Sequence, residues 1–274
     1  MWGVVSPREV GVDIGWQALA MLACAALLAG WVDAVVGGGG LIQLPSLLIG
    51  LPSDTPVPVV SGTNKVSSAA GTLMAAQTYA RRVPIPWGSA IPLVVLAFAG
   101  STLGARLVGF MPREWFTPLV LVVVIGVNTW TFRRPALGLE SRVVTTGAAH
   151  HGRLAAIGAG IGFYDGFVGP GTGTFFVIAL VGAMGYEFLT ASALTKLANL
   201  TTNVAAIVVF ASHGQVFWRV ALVMAAANLT GGLVGARTAI RHGNAFVRRV
   251  FLVVLTGLGI KLAWDTVTLL VGAS

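Results

Sequence analysis

Gly30-Trp31-Val32-Asp33-Ala34-Val35-Val36-Gly37-Gly38-Gly39-Gly40 closes an apolar run that begins at Ile14. A carboxylate stands inside this run, and four consecutive glycines follow it. Each glycine costs a helix about 1 kcal/mol relative to alanine, so the glycine run breaks the helix. Lipid does not tolerate the backbone N–H groups that a break exposes. The break must therefore line a protein cavity, where those amides can face a ligand. The start of the following helix carries about half a positive charge and unpaired donors, which suits an anion. Close helix packing through small residues is the alternative use of glycine, but four in a row exceed what packing needs.

The pattern occurs twice. Gly162-Phe163-Tyr164-Asp165 repeats Gly30-Trp31-Val32-Asp33, and Gly169-Pro170-Gly171-Thr172 repeats the glycine run. With one residue of slippage, Lys65 falls on Lys196, Trp87 on Trp218, and Gly104-Ala105-Arg106 on Gly235-Ala236-Arg237. Matching landmarks in one order mark an internal duplication. Secondary transporters are commonly built this way, with the substrate site at the repeat interface near the bilayer midplane.

Composition agrees with a membrane setting. Of 274 residues, 56% are hydrophobic and 9% charged, and mean hydropathy is +0.86. A soluble domain carries about 25% charged residues. Apolar stretches recur end to end, each able to cross a bilayer core of about 30 Å, and such runs mean helices rather than the alternating strands of a barrel. The net charge of +8 does not point to nucleic acid. Most arginines sit in short loops between apolar runs, where the positive-inside rule places them. The lone cysteine, Cys24, excludes a disulfide framework and reads as a small buried packing residue. Asp13 and Asp33 argue against a cleaved secretory signal at the first run.

The expected fold is an all-α polytopic membrane protein of two pseudo-symmetric, inverted repeats, with broken or re-entrant helices at the glycine runs. The first repeat spans 1–135, a basic linker 136–153, and the second repeat 154–274, forming one integrated transmembrane domain. Segments are expected at 14–36, 41–51, 60–80, 88–110 and 116–132, then at 154–168, 171–184, 190–211, 219–240 and 249–272. The second segment of each half is too short to span. Arg133, Arg134, Arg142 and Arg153 place the linker on the cytoplasmic side, and the offset of loop charges (Arg81 and Arg82 against Arg241, Arg248 and Arg249) fits an odd number of crossings per half.

The third segments carry the densest polarity. On a helix Lys65, Ser68 and Thr72 share a face, as do Lys196, Asn199 and Asn203; Ser61, Thr63, Asn64 and Thr195 add polarity nearby. Lipid rejects such a face, so it points to a cavity or to partners. Snorkelling lysines are the alternative. Asp33 and Asp165 are matched intramembrane carboxylates. They read as proton-coupling candidates, or as structural groups bonded to the glycine run or to a lysine. Two lysines facing one empty cavity repel each other until an anion enters. Gly100 with Gly104, and Gly231 with Gly235, read as helix-packing pairs, Arg106 and Arg237 as snorkelling ends, and Trp87, Trp115, Trp218 and Trp264 as interfacial anchors. The glycines complete no P-loop or dinucleotide fingerprint. His150, His151, His213 and His242 lie in or beside loops. No metal motif or nucleophile elbow appears, so neither a metal, a cofactor nor an intramembrane enzyme is expected.

Val36-Gly37-Gly38-Gly39-Gly40-Leu41-Ile42-Gln43-Leu44-Pro45, followed by Gly62-Thr63-Asn64-Lys65, resembles the sulfite exporter TauE/SafE family, also called the TSUP permeases. Asp165-Gly166-Phe167-Val168-Gly169-Pro170-Gly171-Thr172-Gly173 resembles its second-half pattern, and Gly214 to Arg219 with Gly235-Ala236-Arg237 its later signature. Pro84-Ile85-Pro86-Trp87 departs from the usual turn of the first half. The resemblance implies a bacterial inner-membrane transporter of small sulfur-containing anions such as sulfite or organosulfonates. Its binding residues map onto the glycine runs and the polar third segments. The expected binding set is then Gly37, Gly38, Gly39, Gly40, Gln43, Asn64, Lys65, Ser68, Thr72, Gly169, Gly171, Thr172, Gly173, Thr195, Lys196, Asn199 and Asn203. The expected partners are that anion and the bilayer, with homodimerisation left open. An anion channel shares the basic, amide-lined path and is the principal rival.

Overall fold

The computed structural model describes residues 14–52, 54–110, 143 and 147–272, with side chains up to 253. These residues form α1 (Trp16–Val36), α2 (Gly40–Gly50), α3 (Val57–Ala80), α4 (Trp87–Leu107), α5 (Gly147–Phe167), α6 (Thr172–Gly182), α7 (Phe188–Ser212) and α8 (Trp218–Gly272), with no strand among them. The expected segment at 116–132, Trp115, Arg133, Arg134, Arg142 and the side chain of Trp264 lie outside the described residues. The last two expected segments merge into α8, which breaks at Gly243 with φ 74°.

Prolines set several boundaries. Pro56 precedes α3 and Pro86 precedes α4, each where no helical N–H is lost. Among the described residues, four helices are long and apolar enough to cross a bilayer: α1, α4 with its 3₁₀ extension to Phe110, α7, and α8 as far as Val253. The chain is an all-α, multi-pass membrane protein. Helix α3, at 24 residues, has the length but not the apolarity. It buries Ser61, Thr63, Asn64, Lys65, Ser67 and Thr72 instead.

Glycines set the closest helix pairs. A Cβ on Gly30 would overlap the Asn228 backbone, and one on Gly231 or Gly235 would overlap Leu27 or Trp31, so α1 and α8 touch backbone to backbone. Gly158, Gly162 and Gly166 meet Leu93, Ala97 and Ser101 in the same way, and Gly100 and Gly104 meet Ala159 and Phe163, joining α4 to α5. Water supplies no hydrophobic drive between helices in lipid, so this close van der Waals contact holds the bundle.

The register of these contacts fixes direction. Residue numbers rise together along α1 and α8, along α4 and α5, and along α3 and α8, where Gly62 meets Gln215 and Gly71 meets Gly232. Ser101 Oγ donates to the Thr202 carbonyl, and Tyr186, just before α7, bonds Ser89 near the start of α4. Helices α1, α3 and α8 therefore run one way, and α4, α5 and α7 the other.

Helix α2 runs back along α1. A side chain at Gly39 would strike Ala29 and Asp33, and Gly50 lies against Leu22. Helix α6 follows the second glycine run. Each of these short helices has 11 residues, about 16 Å at 1.5 Å per residue, or half the hydrocarbon core. Ile91, Val95, Phe98 and Leu222 face outward, as lipid contact requires. Trp87 and Trp218 open the oppositely directed α4 and α8 and are both exposed, one near each end of the bundle. Cys24 is exposed on α1 rather than buried. An apolar run offers lipid and protein the same surface, so its inner face cannot be told from its outer one.

Candidate functional site

The two helix breaks touch. Gly37 adopts the left-handed conformation (φ 84°) that caps α1, and its N–H bonds the Asp33 carbonyl at 2.8 Å. The Gly37 carbonyl in turn accepts from the Thr174 N–H at 3.0 Å, across to the second half. A Cβ on Gly37 would fall inside the Gly173 backbone, and one on Gly173 would strike Gly37. Glycine is required at Gly37 on both counts. In the second break Gly169 (φ 95°) and Gly171 (φ 79°) are also left-handed. Tyr164 donates its hydroxyl to the Pro170 carbonyl at 2.6 Å, and the Thr172 hydroxyl donates to the Gly169 carbonyl at 2.7 Å.

The lysines cross between halves. Lys65 on α3 meets Asp165 on α5, Nζ to Oδ2, at 2.5 Å. Lys196 on α7 meets Asp33 on α1 at 3.0 Å and also donates to the Asp33 backbone carbonyl. Lys65 is 3% exposed and Lys196 0%, so neither snorkels. The expected repulsion between two bare lysines does not arise, because each ammonium is neutralised by a carboxylate of the other half.

Asp33, Lys65 and Asp165 of these pairs border a polar cleft with an empty volume of about 330 Å³. Asp33, Gly37 and Gly40 line it from the first break; Asn64, Lys65, Ser68 and Thr72 from α3; Asp165, Gly169 and Gly171 from the second break; and Thr172, Gly173, Asn199 and Asn203 from α6 and α7. Most of the residues singled out from the sequence thus converge from both halves. Gly38, Gly39, Thr195, Lys196 and Gln43 do not line it. Gln43 lies behind, with its amide nitrogen on the Asn64 carbonyl and on Ser68 Oγ and its oxygen accepting from Asn228 Nδ2 at 2.7 Å.

Asn64 and Asn199 are each buried with an amide oxygen that has no hydrogen-bond partner among the described residues.

Two polar clusters escaped the sequence reading. Asn228 is a lone amide in an apolar run, which is itself a signal; it ties α8 to Gln43 and to the Ala26 carbonyl. His150 is buried in α5 rather than loop-like, within hydrogen-bonding distance of Ser89 (2.9 Å) and Tyr186 (3.1 Å).

Comparison with known proteins agrees with this architecture. The family profile described as Sulfite exporter TauE/SafE matches residues 22–262. The chain is 34% identical to a probable membrane transporter protein, ORF9, of a Sinorhizobium species, over 92% of this chain and 95% of that one. It is 31% identical to a probable membrane transporter protein of Haemophilus influenzae, covering 93% and 98% of the two chains, and 30% identical to YfcA of Escherichia coli K12, so described too, covering 96% and 93%. No solved structure matches significantly. With a profile match across nearly its whole length and full-length relatives of one description, the chain belongs to the sulfite exporter TauE/SafE family of membrane transporters.

Proposed function

We propose that the chain exports a small sulfur-containing oxyanion, such as sulfite or an organosulfonate, by alternating access between two inverted repeats, 1–135 and 154–274, joined by a cytoplasmic linker. The crossed ion pairs carry this reading. Each crossed pair is neutral in itself, so an anion entering the cleft alone adds an unmatched negative charge. Two unit charges 4 Å apart interact by about 4 kcal/mol at an effective dielectric of 20, enough to oppose that entry. A proton on Asp33 or Asp165 removes the opposition. The protonated carboxyl releases its lysine, and the anion takes the vacated ammonium, with Ser68, Thr72, Asn199 and Asn203 orienting it and the glycine-break amides adding donors. Anion and proton then move together.

The opposed directions of α1 and α5, of α3 and α7, and of α4 and α8 support the inverted repeat. Each lysine holds the other half, so a guest that loosens one pair alters the grip between halves. This is the two-state element that alternating access needs.

A thermal-shift screen of detergent-purified protein against sulfite, thiosulfate, sulfate, sulfoacetate and taurine tests the substrate class. A specific anion at 100 times its Kd adds about 2.7 kcal/mol of apparent stability. If none of these raises the melting temperature above a chloride control, the sulfur-anion reading fails.

A further inference from the structure

Between the end of α3 and the middle of α8 lies a second and larger cleft, with an empty volume of about 1280 Å³. Arg81, Arg82, Arg237 and Arg241 line it. All four are exposed, and among the described residues none pairs with a carboxylate. Helices α3 and α8 run the same way, so their sequence order brings these arginines to one rim. Arg81 and Arg82 follow the last residue of α3, and Arg237 and Arg241 stand one turn apart on α8.

A single snorkelling arginine needs only headgroup water. Four guanidinium groups around one cleft repel one another until an anion enters. Their forked donors match phosphate bidentately, and Gln77 and Thr78 add polar groups to the wall. Met74, Leu233 and Ile240 make the rest of that wall apolar.

The apolar surface continues inward. Met74 stands one turn before Thr78 on α3, and Leu233 one turn before Arg237 on α8, so these two apolar lining residues lie about one turn deeper in the bundle. The groove is therefore cationic at its mouth and apolar along its length, which is the order of phosphate and acyl chain in a membrane lipid. Basic pockets between membrane helices bind anionic headgroups on this principle.

We propose that this cleft is a binding site for an anionic phospholipid. Its phosphate lies among Arg81, Arg82, Arg237 and Arg241, and its acyl chains run past Met74 and Leu233. The site is separate from the polar cleft between the lysines and does not depend on what that cleft carries.

Native mass spectrometry of protein released from nanodiscs of mixed phosphatidylcholine and phosphatidylglycerol tests the assignment. The wild-type chain should retain phosphatidylglycerol in preference to phosphatidylcholine. The preference should fall about fivefold for each arginine removed, in R81Q/R82Q and independently in R237Q/R241Q, so that misfolding of one variant leaves the other to decide. Inorganic phosphate added in excess should not displace the lipid. Equal retention of the two lipids by the wild type would overturn the proposal without recourse to any variant. An unchanged preference in a folded double variant would also overturn it, and displacement by inorganic phosphate would reassign the cleft to a soluble anion.

Discussion

Lys65 and Lys196 are buried and paired with carboxylates 100 and 163 positions away in the chain. Burying an ion costs several kcal/mol, and removing one partner of a buried pair costs about 3–5 kcal/mol because the other charge is left unmatched. K65M should therefore lower the stability of the detergent-solubilised protein by that order, and K65M/D165N, which removes both charges, should recover most of it. A thermal-unfolding double-mutant cycle measures the coupling; strictly additive losses would mean that the two side chains do not interact. Spacing along one helix placed Lys65 with Ser68 and Thr72, and Lys196 with Asn199 and Asn203, on single polar faces, so their inward direction was legible. Their partners were not. Each partner belongs to the other half, and the period of one helix holds no record of what packs against it. Gln43 shows the same limit, since its bond to Asn228 spans 185 positions.

Glycine does two different jobs in the helices. Gly104 and Gly231 sit where a Cβ would enter a neighbouring backbone, whereas Gly160 has no atom within 4 Å of such a Cβ. G104A and G231A should thus destabilise the fold, while G160A should be neutral or stabilising by up to about 1 kcal/mol through helix propensity. Gly37 combines contact with φ 84°, and the left-handed conformation alone costs alanine about 1–2 kcal/mol. G37A should be the most damaging of the four, as melting curves of purified variants will show. The helices themselves were readable because long apolar runs have no other stable form in lipid. Their orientation about their own axes was not, as Cys24 shows: when solvent and core are both apolar, the sequence of α1 carries no contrast between its faces.

At the scale of the molecule, the pairing of α1 with α8 and of α4 with α5 interlocks the halves, so that neither half holds a complete cleft. Duplication was visible as matched landmarks, but the exchange of partners between halves arises only from packing. If the repeats are inverted, the turn after α3 and the turn after α7 lie on opposite sides of the membrane. In a C24S background, a membrane-impermeant thiol reagent should label R82C from one face only and S212C only from the other; labelling of both from one face would make the repeats parallel. The most direct measurement concerns the lysines. Proteoliposomes carrying wild-type chain or K65M/K196M, both verified as folded by gel filtration, are assayed for flux of whichever anion stabilises the protein most in the thermal screen. Crossed lysines that hand an anion between halves predict saturable flux in the wild type and flux no greater than that of empty liposomes in the double variant, whereas undiminished flux in K65M/K196M would remove both residues from transport.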